Sequence, residues 1–133
     1  MTNKLNKLFQ LHKKVIVITG ATGLLGRKHA EAIAAYGGNP ILLDLSLEKV
    51  ETLAKELNER FNIDAKGFSV DITNELQVEE NAKLIVNLYG RIDGLVNNAA
   101  NNPKVEENSI SNFSRLENFP LNSWNDDLNV GLT

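Results

Sequence analysis

Gly20, Gly23 and Gly26 stand three residues apart where the apolar run Val15-Ile16-Val17-Ile18-Thr19 gives way to Ala21-Thr22 and then to a helix-forming stretch. The first glycine permits a tight turn. The second lets backbone approach a phosphate, and the third lets helix and strand pack closely. Amides at the start of the helix would face an anion there, and the helix dipole would favour its charge. The chemistry this spacing suits is binding of a dinucleotide pyrophosphate. It is not a Walker A loop, because no Lys-Ser or Lys-Thr pair follows Gly26.

Three further positions belong to the same chemistry. Asp44 closes the next apolar run, eighteen residues after Gly26. A carboxylate there can accept from both hydroxyls of an adenine ribose and would repel a 2′-phosphate, which points to NAD rather than NADP. No Arg or Lys follows it directly, and the plain alternative is a solvated acid at a strand end. Asp71 follows the third run, where it could accept from an adenine amino group while Ile72 flanks the ring. Alternatively it caps the next helix, alongside Thr73 and Asn74. Asn97-Asn98-Ala99-Ala100 leave the fourth run: small residues admit a flat ligand, and asparagine can tie neighbouring strand ends together.

These residues need a scaffold that brings four strand ends to one edge. From Lys14 onward, runs of strand length alternate with helical stretches, as a parallel sheet with crossover helices requires. The strands are expected at Val15 to Thr19, about Pro40 to Asp44, about Ala65 to Val70, and Ile92 to Asn97, the last covered on both faces. Helices are expected from about Leu24 to Tyr36, after an N-cap at Ser46, and from about Glu75 to Tyr89. Gly37, Gly38 and Gly90 supply stops. Right-handed crossovers then give a doubly wound α/β sheet of Rossmann type, with strand order 3-2-1-4.

Residues 1–13 are expected as a solvated lead-in carrying Lys4, Lys7 and Lys13, and residues 14–100 as the nucleotide-binding core. Residues 101–120 form a long polar loop, and 121–133 the start of a helix near Asn122 or Ser123. An apolar fourth strand left at an edge suggests the front half of a longer protein; the alternative is a small complete domain with a frayed tail.

With 133 residues, 42% of them apolar, the chain can build a core. A net charge of -3 gives no reason to expect nucleic acid or an anionic membrane as partner. No cysteine is present, which removes disulfides and thiolate chemistry, and no apolar stretch suggests a signal peptide or membrane span. A cytoplasmic location follows as the default. His12 and His29 lie in no metal-ligand spacing, so no metal is expected.

Taken in order, Thr19-Gly20 through Gly26, Asp44, Asp71-Ile72 and Asn97-Asn98-Ala99-Ala100 resemble the short-chain dehydrogenase/reductase family across essentially the whole chain. The last motif is similar to the family's Asn-Asn-Ala-Gly, with Ala100 in the glycine position. Gly23 departs from the commonest spacing, which would place glycine at position 24, and matches the family's extended branch. The resemblance implies a Rossmann fold and cofactor contacts from Gly20, Thr22, Gly23, Leu24, Leu25, Gly26, Asp44, Leu45, Asp71, Ile72, Asn98, Ala99 and Ala100. It also implies hydride transfer between NAD(H) and a carbinol or carbonyl of a small polar substrate, and a homo-oligomer, dimer or tetramer.

The family's catalytic serine, and its tyrosine with a lysine four residues later, are expected beyond Thr133. Tyr36 and Tyr89 have no such lysine. The family's helix asparagine, which supports a proton-relay water, aligns with Gly131 in Trp124 to Val130-Gly131-Leu132, and Asn129 lies two positions earlier. Catalysis is therefore not expected of these residues by themselves. A non-catalytic dinucleotide sensor of the same fold is the competing expectation. Residues 98–105 and 113–120 are also similar to a bacterial subgroup tied to flagellin modification and sugar-nucleotide synthesis.

Overall fold

The computed structural model describes residues 8–101 and 119–131. Lys4, Lys7, most of the expected polar loop and Thr133 lie outside the described residues. Ala100 opens a second compact unit, treated separately below.

In the first unit, β1 (Val15–Thr19), α1 (Leu24–Ala35), β2 (Asn39–Asp44), α2 (Leu47–Phe61), β3 (Lys66–Ser69), α3 (Glu75–Tyr89) and β4 (Gly94–Val96) follow one another. The strands are parallel and ordered β3-β2-β1-β4, as expected. The register pairs Thr19 with Leu43, Ile18 with Val96, and Asp44 with Ser69. All four carboxyl ends therefore emerge along one edge, and the loops carrying Gly20, Asp44, Asp71 and Asn98 start there.

The period-two alternation of the strands divides the core. Ile18 and Leu42 face Ala30, Ile33, Ala34, Val50, Leu53, Ala54 and Leu57 of α1 and α2, whereas Val15, Val17, Ile41 and Leu43 face Val70 and Ile85. β1 and β2 are thus buried on both sides, which is why they read as unbroken apolar runs. The helix α3 has the expected bounds because both of its ends are marked. The Asn74 side chain accepts from the Gln77 N–H, and Gly90 takes the left-handed conformation at φ 77. The helix α1 stops at Ala35, with Tyr36 as the C-cap.

Ser46 stands at the N-cap of α2, as expected; its hydroxyl makes no capping bond, with Lys49 in place of an acid no capping box can close, and Glu48 complements the first turn. Three expectations need correction. β4 is shorter than Ile92 to Asn97, because polar side chains intercept the backbone at both of its ends: Asp93 takes the Val15 N–H, and the Asn98 N–H turns to the Thr19 hydroxyl. Nor is β4 covered on both faces, since Leu95 is 58% exposed. The end of the lead-in is docked rather than solvated: the Leu11 and Lys13 amides donate to the carbonyls of Tyr36 and Gly37, and Leu11 packs against the core.

The second unit holds α4 (Leu121–Gly131), which begins slightly before the expected start. It buries no residue. Trp124 meets Phe119 edge-on, and Asn101 donates to Asp127.

Candidate functional site

The glycine loop is the tightest place in the fold. Gly20 has φ +62, a region side chains rarely adopt, and a Cβ there would lie 2.8 Å from the Ala99 Cα. A Cβ on Gly26 would lie 2.1 Å from the Gly20 carbonyl oxygen and 2.8 Å from the Ala21 Cα. These two glycines are required by the protein's own packing. Gly23 differs: its φ of -72 is ordinary, and its nearest obstacle, the Gly20 oxygen, is 3.3 Å away. It is the N-cap of α1 and offers no side-chain cap, and the first turn carries no acid. The amides of Leu24 and Leu25 therefore begin the helix with neither an intrahelical acceptor nor a capping side chain. Both side chains are exposed, as is Leu45 on the neighbouring loop.

Strand ends are tied across this edge. The Asn98 Nδ2 donates to the carbonyls of Thr19 and Gly20 at 3.1 and 3.0 Å. The Thr19 hydroxyl accepts the amides of Asn98 and Ala99. Thr19 was not among the expected site residues; its one signal was a hydroxyl at the last position of a strand entering a glycine loop.

Asp44 is half-buried and accepts three donors. Both the amide and the hydroxyl of Thr22 reach Oδ2, at 2.9 and 2.6 Å, and the Leu45 amide reaches Oδ1 at 2.8 Å. Burial alone would raise its pKa, but these donors outweigh burial and hold the carboxyl below its ordinary value, with a minor contribution from Lys49. None of the ion pairs among the described residues involves Asp44. Its charge is met by hydrogen-bond donors and, from beyond ion-pairing distance, by Lys49.

Asp71 folds back on Thr73, whose hydroxyl and amide hold its carboxyl below the ordinary range. The cap of α3 is Asn74 rather than Asp71. Ile72 is half-buried beside it, and Ala99 follows Asn98 against the glycine loop. Ala100 is exposed and belongs to the second unit.

Other chemistry lies elsewhere. The Tyr89 hydroxyl donates to the Asp64 carbonyl, in the turn that enters β3 at the amino edge of the sheet; burial first, then the Asp64 charge, pushes its pKa up. Tyr36 ends α1, where its carbonyl receives the lead-in. Gly131 ends α4 with nothing within 4 Å of an added Cβ. No cluster of three His, Cys, Asp or Glu among the described residues could hold a metal, and no helix among them is long and apolar enough to cross a membrane.

A parallel α/β sheet with a glycine turn after β1 and an acid after β2 defines the dinucleotide-fold class of proteins. Residues 14–131 match the short chain dehydrogenase family, and the chain belongs to it. It is 34% identical over 123 residues to an uncharacterized oxidoreductase, YxjF, of Bacillus subtilis, covering 92% of this chain and 44% of that protein. The chain thus spans less than half the length of that relative. Among solved structures it is similar to an NAD+-bound xylitol dehydrogenase, at 25% identity and TM-score 0.79, covering 92% of this chain and 44% of that one. It is also similar to an NADPH-dependent 3-quinuclidinone reductase from Rhodotorula rubra, at 26% identity and TM-score 0.76, covering 98% and 46%.

Proposed function

We propose that this chain is the NAD-binding part of an oxidoreductase that moves a hydride between NAD(H) and a carbinol or carbonyl of a small polar substrate. The observation that carries the choice of NAD is Asp44: an ionised, unpaired carboxylate at the end of β2, beside the uncapped start of α1. Relatives of both cofactor types share the fold, so the choice rests on this residue and not on the likeness. The groups present fit a dinucleotide. Gly23 and the Leu24 and Leu25 amides would receive the pyrophosphate, Asp44 and Leu45 the adenine ribose, Asp71 and Ile72 the adenine, and Asn98, Ala99 and Ala100 the nicotinamide half. When bound, the cofactor supplies the hydride acceptor or donor.

A polyol or sugar-like substrate is the class we favour, supported by the likeness to a xylitol dehydrogenase. The similarity to sugar-nucleotide enzymes of flagellin modification points the same way, although much of it falls on residues 102–118, outside the described residues. A cytoplasmic, oligomeric enzyme accords with this reading.

Titration calorimetry of the protein with NADH and NADPH tests it. NADH is expected to bind at least roughly tenfold tighter, a difference of about 1.4 kcal/mol, and Asp44→Ala to erase most of that preference. Binding of neither nucleotide would sink the reading.

One observation favours a second, non-catalytic reading for residues 1–133 taken alone. Alcohol oxidation needs a base for the hydroxyl proton, and Tyr89 is engaged at the opposite edge of the sheet. We therefore infer that these residues bind the dinucleotide without turning it over. NADH formation from NAD+ and a polyol panel by residues 1–133 would refute that inference.

A further inference from the structure

Asn81 is out of place on its helix. It stands one turn before Ile85 on the buried face of α3, and only 8% of it is exposed. Such a face calls for an apolar residue, and asparagine is seldom found there. A carboxamide has two N–H donors and an accepting oxygen, yet among the described residues nothing bonds to that of Asn81. A buried polar group without a partner needs a reason. No side-chain polar atom among these residues is both sealed from solvent and unpartnered, so the Asn81 carboxamide opens on a space.

That space is a cavity of about 360 Å³ beside the edge strand β3, between α3 and the start of α2. Leu47, Phe68, Val70 and Leu84 wall it with apolar surface. Gln77 and Glu80 join Asn81 as its polar groups. The Gln77 Oε1 accepts the Asp71 amide, which leaves the Gln77 amino group to donate. Glu80 makes no ion pair among the described residues, whereas its neighbour Glu79 is answered by Lys83. Apolar walls with a few convergent polar groups are the usual form of a small-molecule site. None of the residues assigned to the dinucleotide lines this one.

We propose that the cavity binds a small amphipathic cation: an apolar body that carries a carboxamide and an ammonium group. Asn81 sets the first requirement, because a carboxamide offers the acceptor and donor that complement its own. A carboxylic acid has a similar shape, but ionised it would meet the Glu80 charge and is selected against. Glu80 attracts the ammonium, and the four apolar walls bury the body. The ligand thus supplies the partner that Asn81 lacks within the protein.

The test is a two-dimensional NMR titration of the protein with phenylalaninamide, repeated with phenylalanine and with N-acetylphenylalaninamide, alongside thermal melts. Phenylalaninamide is expected to bind with a dissociation constant on the order of 1 mM and to shift the resonances of Phe68, Leu84 and the Asn81 side-chain amide. Asn81→Leu is expected to weaken it about tenfold while melting no lower than wild type, because leucine suits the buried face. Glu80→Gln, an exposed change, is expected to weaken phenylalaninamide about threefold and to leave the N-acetyl compound, which has no ammonium, unaffected. Absence of shifts at the cavity overturns the proposal, as does phenylalanine binding as tightly as its amide. Unchanged affinity in Asn81→Leu overturns it too, and so does a loss there that comes with a lower melting temperature. Should the leucine variant not fold, Glu80→Gln decides by the same comparison of the two amides. Displacement of phenylalaninamide by NADH would make the cavity part of the nucleotide site, and that also overturns the proposal.

Discussion

Asp44 and Asp93 flank strands at opposite edges of the same sheet, and both are held below the ordinary carboxylate range by backbone amides. Asp93 is finished within the protein. It accepts the Val15 amide, which together with Arg91 brings its pKa to about 2, and it pairs with Lys14 as well. Asp44 has comparable hydrogen bonds but makes no ion pair, and only Lys49 acts on it from a distance. The amino edge uses its acid to fasten β4 beside β1; the carboxyl edge orients its acid without an ion pair. Between these two acids the difference lies in the ion pairs and not in the direction of the pKa shift.

The sharpest way to break the contrast is Gly26→Ala. The added methyl would meet the Gly20 carbonyl and the Ala21 backbone, neither of which is a movable side-chain tip. Overpacking against backbone should destabilise by about 3 kcal/mol, read by urea unfolding, and nucleotide binding should be lost as the loop shifts. Wild-type stability in this variant would mean the edge is looser than its geometry.

Asn98→Asp comes next. It keeps the shape but sets an acceptor against the Thr19 and Gly20 carbonyls, at a cost of about 2–3 kcal/mol at neutral pH. Protonation of the introduced carboxylate returns one donor, so the gap to wild type should narrow as the pH falls towards 4. A melt series that shows no such narrowing would mean the two carbonyl bonds contribute little.

Much of this edge was legible in the residues. Glycine spacing, strand alternation and the Asn74 and Gly90 markers are local signals, and they placed the sheet order and α3. The capacity of asparagine to tie strand ends was legible as well, and Asn98 does so. What escaped were pairings over long separations: Thr19 with Asn98 across 79 residues, and Thr22 with Asp44 across 22. Periodicity says which face a side chain takes, not which hydroxyl on one loop meets which acid on another. The short β4 escaped for the same reason, since Asp93 and Asn98 end it by contacts with β1. The docking of Leu11 was hidden because a lone apolar residue among lysines carries no period.

The mildest change sharpens the amino-edge half of the comparison. Asp93→Asn keeps one acceptor for the Val15 amide and puts an amino group in place of the oxygen that Arg91 and Lys14 share, so the charge and both ion pairs go together. Because the folded pKa of Asp93, about 2, lies below its ordinary value of 3.8, its stabilising contribution is fully present above pH 3.8 and is lost as the pH falls towards 2. Thermal melts should therefore show wild type modestly above Asp93→Asn near pH 6, with the gap closing between pH 4 and pH 2. NADH affinity should not change, since this acid works at the far edge of the sheet. A gap that stays constant in acid would make the ion pairs irrelevant to stability. A change in NADH affinity would mean that the two edges do not act independently, and the division of labour between the two aspartates would fall.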